Sequence, residues 1–159
     1  MLKKMKIMKR NLFLVLPLLA LIVLGEACSP KSDNTPPPPP PLGTFSGTFR
    51  LLVKKTTGSG FDTVKKDPLF SVKIALPANY VVTQSTPSIH ALSRGAFNYN
   101  PNSGLMAFYD STYVAGPQPT IRLIGTYQYG YDGQSVFRLQ RVNQTQDSIL
   151  FYDLKKTSN

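Results

Sequence analysis

The sequence is poor in the residue types on which many enzymes and metal sites depend. It has no tryptophan, and its single cysteine, histidine and glutamate are Cys28, His90 and Glu26. One cysteine excludes an intramolecular disulfide, so the core alone must stabilise the folded domain. Neither an HExxH motif nor a Cys/His cluster with the spacing of a zinc site is present. We therefore expect no metal site and no cofactor.

His90 is the only residue around which a nucleophile–histidine–acid set could be built. It follows Pro87 at the start of a predicted strand, where a lone histidine is more often a surface or strand-edge residue than a catalyst. The aspartates from Asp62 to Asp153 fall in predicted turns and strand ends, and turn aspartates usually hydrogen-bond their own backbone. The sequence thus predicts no catalytic residues and a protein that is not an enzyme.

The N-terminus has the pattern of a secretory signal peptide. Five basic residues between Lys3 and Arg10 precede an apolar stretch, Leu12 to Leu24, which only Pro17 interrupts. As a helix this stretch would be about 20 Å long, which is short for a bilayer core of about 30 Å. Secretory signals carry apolar regions of about 7–15 residues. We expect residues 1–27 to be a signal peptide that is removed.

The segment Gly25-Glu26-Ala27-Cys28 resembles the lipobox of bacterial lipoproteins. In that family the cysteine receives diacylglycerol, commonly with palmitate, and becomes the new N-terminus. The resemblance implies lipid attachment at Cys28 and a membrane-anchored protein of the bacterial cell envelope. Ser29 is not the aspartate that retains lipoproteins in the inner membrane, so the outer membrane is favoured. Ordinary cleavage near Ala27, which would leave a free thiol, is the alternative.

Residues 28–42 are predicted to be a lipidated, proline-rich tether. Six consecutive prolines, Pro36 to Pro41, favour a polyproline II helix of about 19 Å. Such a segment would hold the next domain clear of the lipid head groups. The alternative is a ligand for an aromatic groove on another protein.

Residues 43–159 are predicted to form one all-β domain, because apolar and polar residues alternate with period two and no segment has helical spacing. Asp132-Gly133 and the cluster Asn100 to Gly104 predict hairpin turns. The predicted strands are residues 44–54, 70–76, 80–83, 91–99, 105–109, 121–131, 136–142 and 148–154. Consecutive hairpins favour an up-and-down antiparallel barrel of about eight strands over a two-sheet sandwich. Mid-strand Gly47, Gly95 and Gly125 indicate bulges or bends, or close packing under an aromatic ring.

The domain resembles the lipocalin-like barrels of bacterial lipoproteins in three segments, namely Gly43 to Phe49, Phe137 to Leu139 and Leu150 to Tyr152. This resemblance implies a cup for a small apolar ligand. Lipocalins carry a first-strand tryptophan that an arginine near the end of the barrel covers. Phe45 stands in that place here, and Arg138 or Arg141 is the expected packing partner.

Tyrosines are the candidate ligand-binding residues, namely Tyr99, Tyr109, Tyr127 and Tyr129. Tyr127, Tyr129 and Tyr131 alternate along one predicted strand and share a face. An exposed stripe of rigid rings could stack on sugars or form a protein interface, whereas an interior stripe would fill a core or line a cavity. Two hypotheses follow. One is a non-catalytic lipoprotein that binds a small apolar ligand in a barrel cavity. The other is a structural module that docks an envelope protein or glycan through an aromatic sheet face.

The positive charge is concentrated in part in three lysine doublets at predicted strand ends. The net charge is +10, and the doublets are Lys54-Lys55, Lys65-Lys66 and Lys155-Lys156. Clustered at one rim, they would attract anionic lipid head groups. Otherwise they are solvated strand ends that protect sheet edges. No nucleic-acid-binding motif accompanies the charge, so we expect no nucleic-acid partner.

Overall fold

Eight antiparallel strands dominate the computed structural model, which describes residues 39–143 and 145–158. The strands are β1 (Gly43–Lys54), β2 (Phe61–Ala75), β3 (Asn79–Gln84), β4 (Arg94–Asn100), β5 (Leu105–Asp110), β6 (Gly125–Tyr131), β7 (Val136–Val142) and β8 (Ser148–Ser158). Each strand pairs with its sequence neighbours, and β8 also pairs with β1, which closes the barrel. The prediction of an up-and-down barrel is confirmed, and the sandwich is excluded.

The predicted signal peptide, Cys28 and most of the predicted tether lie outside the described residues. Within residues 39–143 and 145–158, no helix is long and apolar enough to span a membrane. The last tether residues belong to the barrel, since Pro41 is buried and Leu42 packs against the core. The chain therefore enters the barrel at the start of β1.

The barrel has two distinct ends. We call the end marked by Gly43, Ala75, Asn100 and Tyr131 the tether end, and the end marked by Lys54, Gln84, Asp110 and Val142 the loop end. The doublet Lys54-Lys55 lies at the loop end and Lys155-Lys156 at the tether end, where Lys155 pairs with Ser46. The three lysine doublets therefore do not form one basic rim.

Inward-facing side chains fill the interior of the barrel. Sixteen hydrophobic residues of the described chain are at most 5% exposed, and nine of them are aromatic. The rings of Phe49 and Tyr152 lie 4.9 Å apart between centroids, and those of Phe45 and Phe137 lie 5.0 Å apart. Tilted and edge-to-face contacts of this kind add to the energy of apolar burial. The period-two pattern thus produces an aromatic core.

β2 begins at Phe61 rather than near Phe70, because Pro68 lies within the strand instead of before it. Gly47 pairs with Phe70 and Phe49 with Asp67, so two residues of β2 face one residue of β1. Such a bulge tolerates a proline, which lacks the N–H of a regular ladder. The predicted start of this strand at residue 70 was therefore wrong, because the bulge lets the strand include Pro68 and the residues before it.

Two loops fold over the loop end and close it. The β3–β4 loop contributes His90 and the β5–β6 loop contributes Leu123, and both side chains are fully buried. The loops join through backbone hydrogen bonds, Ala91 N to Ile121 O at 2.8 Å and Ile121 N to Ile89 O at 3.1 Å. The segment 121–124, predicted as the start of β6, therefore lies in a loop, where its backbone pairs with another loop.

Neighbouring residues on β2 provide a direct test of the inward and outward faces. Phe70 is fully buried and Leu69 is 59% exposed. We expect Phe70→Ala to lower the free energy of unfolding by about 3–5 kcal/mol because it leaves a cavity in the core. Leu69→Ala should change the free energy by less than about 0.5 kcal/mol. Urea titration followed by circular dichroism measures both, and equal effects would contradict the observed register.

Candidate functional site

The structure does not bring the four candidate tyrosines together. Tyr127 is 1% exposed inside the barrel, whereas Tyr109 points outward and is 60% exposed. Tyr99 and Tyr129 are half-buried near the tether end, where both pack against the core. Burial and the nearby Tyr99 raise the pKa of Tyr129. Tyr109 thus cannot line an interior with the other three, and Tyr127 belongs to the core. Cys28 lies outside the described residues.

His90 is buried in the core, so its interpretation as a surface or edge residue was wrong. Its ring lies 4.7 Å from that of Phe70 and 5.3 Å from that of Phe49. His90 Nδ1 lies 2.9 Å from the carbonyl of Ala91, and because a carbonyl only accepts, Nδ1 carries the proton. Nε2 accordingly accepts a hydrogen bond from Tyr152 Oη at 3.0 Å. Both ring nitrogens are engaged.

Burial is also the main influence on the charge of His90. It lowers the pKa of His90 to about 4, so the ring is neutral at physiological pH. Burial likewise raises the pKa of its partner Tyr152 well above the usual value. A neutral, enclosed imidazole with two hydrogen bonds acts as a structural contact between the β3–β4 loop and β8.

Several of the described aspartates stabilise loops and turns. Asp67 is fully buried and accepts hydrogen bonds from Thr86 N at 2.6 Å and from Thr86 Oγ1 at 2.9 Å, which attaches the β3–β4 loop to β2. Burial would raise the pKa of Asp110, but hydrogen bonds from Thr112 and Arg122 outweigh it and lower the pKa. In the described part of the chain, no group of three or more His, Cys, Asp and Glu residues could hold a metal ion.

A cleft opens in the barrel wall at the loop end, between β6 and β7. The ladder between these strands joins residues 128–131 to residues 137–140 and stops there. Nearer the loop end, residues 125–127 pair with β5, and residues 141–142 pair with β8. The cleft has a volume of about 910 Å³ and is lined by Gly125, Thr126, Arg141, Asn143, Thr145, Ser148 and Leu150.

Arg141 is the charged residue of this cleft, and its neighbours hold it in place. Its Nη1 donates to the carbonyl of Ile124 at 2.6 Å, and its guanidinium carbon lies 5.9 Å from the ring centroid of Tyr127. Gly125 has a φ of +92°, and a Cβ there would lie 2.7 Å from Nη1. A glycine at this position therefore provides both the backbone conformation and the space that the guanidinium occupies.

Arg138 and Arg141 do not cover Phe45, so that expectation was wrong. Arg138 points outward on β7 and pairs with Asp153 at 2.9 Å. Phe45 instead contacts the rings of Phe137 and Tyr131 at the tether end, far along the barrel from Arg141. Alternation within β7 places Arg141 on the inward face, but register places it at the loop end. Aromatic rings, rather than an arginine, therefore pack against Phe45.

The sequence indicated a bulge, a bend or close packing under an aromatic ring at Gly125, and it gave Arg141 as one of two candidate partners of Phe45. It predicted no contact between Gly125 and Arg141. The remaining polar residues of the cleft gave no signal. Asn143 and Thr145 belong to a loop that reads simply as polar, and Ser148 was predicted only as the first residue of the last strand. Comparison with known proteins adds no further assignment. No protein-family model, no curated protein and no solved structure matches this chain.

The buried histidine predicts a pH-dependent stability. Unfolded His90, with a pKa near 6.5, takes up a proton between pH 7 and pH 5, while the folded side chain, with a pKa of about 4, does not. Because the unfolded state binds more protons, the free energy of unfolding falls as the pH falls, by about 2 kcal/mol over this range. Urea titrations at both pH values measure the difference.

His90→Gln is the matched variant for this measurement, since it cannot be protonated. We expect it to lose most of the pH dependence between pH 7 and pH 5, although it is less stable at pH 7. A variant with the wild-type slope, or a folded wild-type His90 that titrates near 6.5 by NMR, would contradict the burial argument.

Proposed function

We propose that this chain is an exported lipoprotein of the bacterial cell envelope, anchored through Cys28, and that its barrel is a non-catalytic binding module. The order of segments along the chain carries the proposal. Basic residues, an apolar stretch, a lone cysteine and a run of prolines precede β1 directly. This order is typical of a lipoprotein in which a tether joins the anchor to a folded domain. The outer membrane is the proposed location.

The position of the cleft supports a binding role. The chain enters the barrel at the tether end, beside Gly43, whereas the cleft with Arg141 opens at the loop end. An anchored barrel would therefore present its cleft at the end away from its own attachment point. The environment of His90 supports a non-catalytic role, since both nitrogens are engaged in the core.

The packed interior favours docking at the surface over an apolar ligand in a central cavity. Tyr127 and Tyr152, which would have lined such a cavity, are at most 1% exposed and contact other rings. Side chains thus occupy the space that a lipocalin-like cup offers to its ligand. Recognition of an envelope component through the cleft or the rims is the binding mode that this geometry supports best.

Lipid anchoring is tested by Cys28→Ala, with Ser29→Ala as the control. We expect the wild-type protein and the control to sediment with membranes and to have intact masses that start at Cys28 and include acyl chains. Cys28→Ala should lose the acyl mass and most of its membrane association, because multiple acyl chains make attachment stable. A wild-type protein that still carries Met1 and no lipid would refute the proposal.

The binding mode is tested by native mass spectrometry of the wild-type protein released gently from membranes. With a filled barrel we expect no stoichiometric apolar molecule inside it, and solvent extraction should recover only the acyl chains of the anchor. A retained small apolar molecule in a one-to-one ratio would favour the cavity hypothesis. Phe70→Ala, which enlarges the interior, is the control that shows whether the method detects an enclosed hydrophobic guest.

A further inference from the structure

We infer that the cleft between β6 and β7 binds a small polar molecule through its carboxylate or phosphate group, with Arg141 as the residue that recognises the anion. This inference rests on the proposed binding role of the barrel and specifies the ligand class, but it does not depend on the lipid anchor. Four observations support it, namely the missing counter-ion, the fixed guanidinium, the composition of the lining and the size of the cleft.

Arg141 has no carboxylate partner among the described residues. The three ion pairs there are Lys55–Asp62, Arg122–Asp110 and Arg138–Asp153. Asp147 belongs to the loop beside the cleft, but Asn143 engages its carboxylate and it is not part of the lining. Arg141 is half-buried, and a half-buried cation without a counter-ion favours an anion that arrives from solution.

The guanidinium of Arg141 is fixed before any ligand binds. Nη1 is used by the carbonyl of Ile124, so Nε and Nη2 are the donors that can face the cleft. The planar group lies in the space that the missing side chain of Gly125 leaves open, and its central carbon lies 5.9 Å from the ring centroid of Tyr127. Arginine binds carboxylate and phosphate groups through paired hydrogen bonds, and a pre-positioned fork loses little side-chain entropy on binding.

The remaining lining indicates what the anion is attached to. Thr126, Thr145 and Ser148 offer hydroxyl groups, and Leu150 supplies an apolar contact. The side-chain amide of Asn143 is used within the loop itself, where it bonds Thr145, Asp147 and Ser148. A volume of about 910 Å³ lies within the range of sites for small molecules and is far larger than a bare inorganic anion needs. A hydroxyl-rich body with one anionic group, such as a uronic acid or a sugar phosphate, matches this chemistry.

Isothermal titration calorimetry of the full-length, detergent-extracted protein tests the inference with three probes. Glucuronate presents a carboxylate, glucose 6-phosphate presents a phosphate, and neutral glucose presents neither. We expect at least one anionic probe to bind about tenfold or more tightly than glucose, with affinity falling as salt rises. Whichever anion binds more tightly identifies the preferred group. No binding of either anion, or equal affinity for glucose, overturns the inference.

Two arginines of β7 provide matched variants, because Arg141 faces the cleft and Arg138 faces outward. Arg141→Gln should weaken the better anionic probe about tenfold or more, and Arg138→Gln should leave its affinity unchanged. Arg141→Lys keeps the charge without the fork and should lie between the wild type and Arg141→Gln. If Arg141→Gln fails to fold, Arg141→Lys is compared with Arg138→Gln instead. Equal binding by the Arg141 and Arg138 variants overturns the inference.

Gly125→Ala tests the positioning of the arginine while leaving Arg141 itself in place. Its Cβ would lie 2.7 Å from Nη1, and a φ of +92° is one that alanine rarely adopts, so the guanidinium must move and we expect a weaker affinity for the better anionic probe. A circular dichroism spectrum like that of the wild type establishes that the variant is folded. Wild-type affinity in a folded Gly125→Ala protein would contradict a fixed guanidinium. The lipid anchor is tested by intact mass and anion binding by calorimetry. A failure of the anchoring proposal is therefore distinguishable from a failure of the anion-binding inference.

Discussion

The hydrogen bond between Tyr152 and His90 connects the last strand to a loop that would otherwise lie outside the barrel. It is enclosed by the rings of Phe49 and Phe70, and it requires a neutral imidazole with its proton on Nδ1. Asp67 attaches the same loop from the other side through Thr86. With no disulfide to close the structure, these buried polar contacts and the aromatic core together hold the loop end shut. The open cleft beside it is therefore a feature of an otherwise filled barrel.

Sequence periodicity was sufficient for the fold, because each strand alternates between a buried and a solvated face. The number of strands, their order and the hairpin at Asp132-Gly133 follow from local pattern alone. The errors lie where local pattern competes with a distant partner. Pro68 marked a strand end by its chemistry, yet a bulge opposite Thr48 accommodates it. Ile121 to Ile124 alternate like a strand, but their backbone pairs with the β3–β4 loop rather than with β7.

Much less of the candidate site was predictable. The sequence places Gly125 and Arg141 sixteen residues apart, and only the register of β6 against β7 brings them into contact. His90 comes soon after Pro87 and Ser88, which indicate a surface turn. Nothing nearby in the sequence reveals that His90 will be buried and will accept a hydrogen bond from Tyr152. The tyrosine stripe of β6 was predicted to share a face, and it does. Its depth along the barrel, which separates core Tyr127 from half-buried Tyr129, depends on tertiary structure.

The pairing of β8 with β1 imposes an order on folding. Until β8 (Ser148–Ser158) is in place, β1 has one unpaired edge, and Phe49 of β1 lacks its contact with Tyr152. Closing the barrel therefore requires pairing between strands about 100 residues apart in sequence, and such non-local contacts are slow to form because the loop-closure entropy comes first.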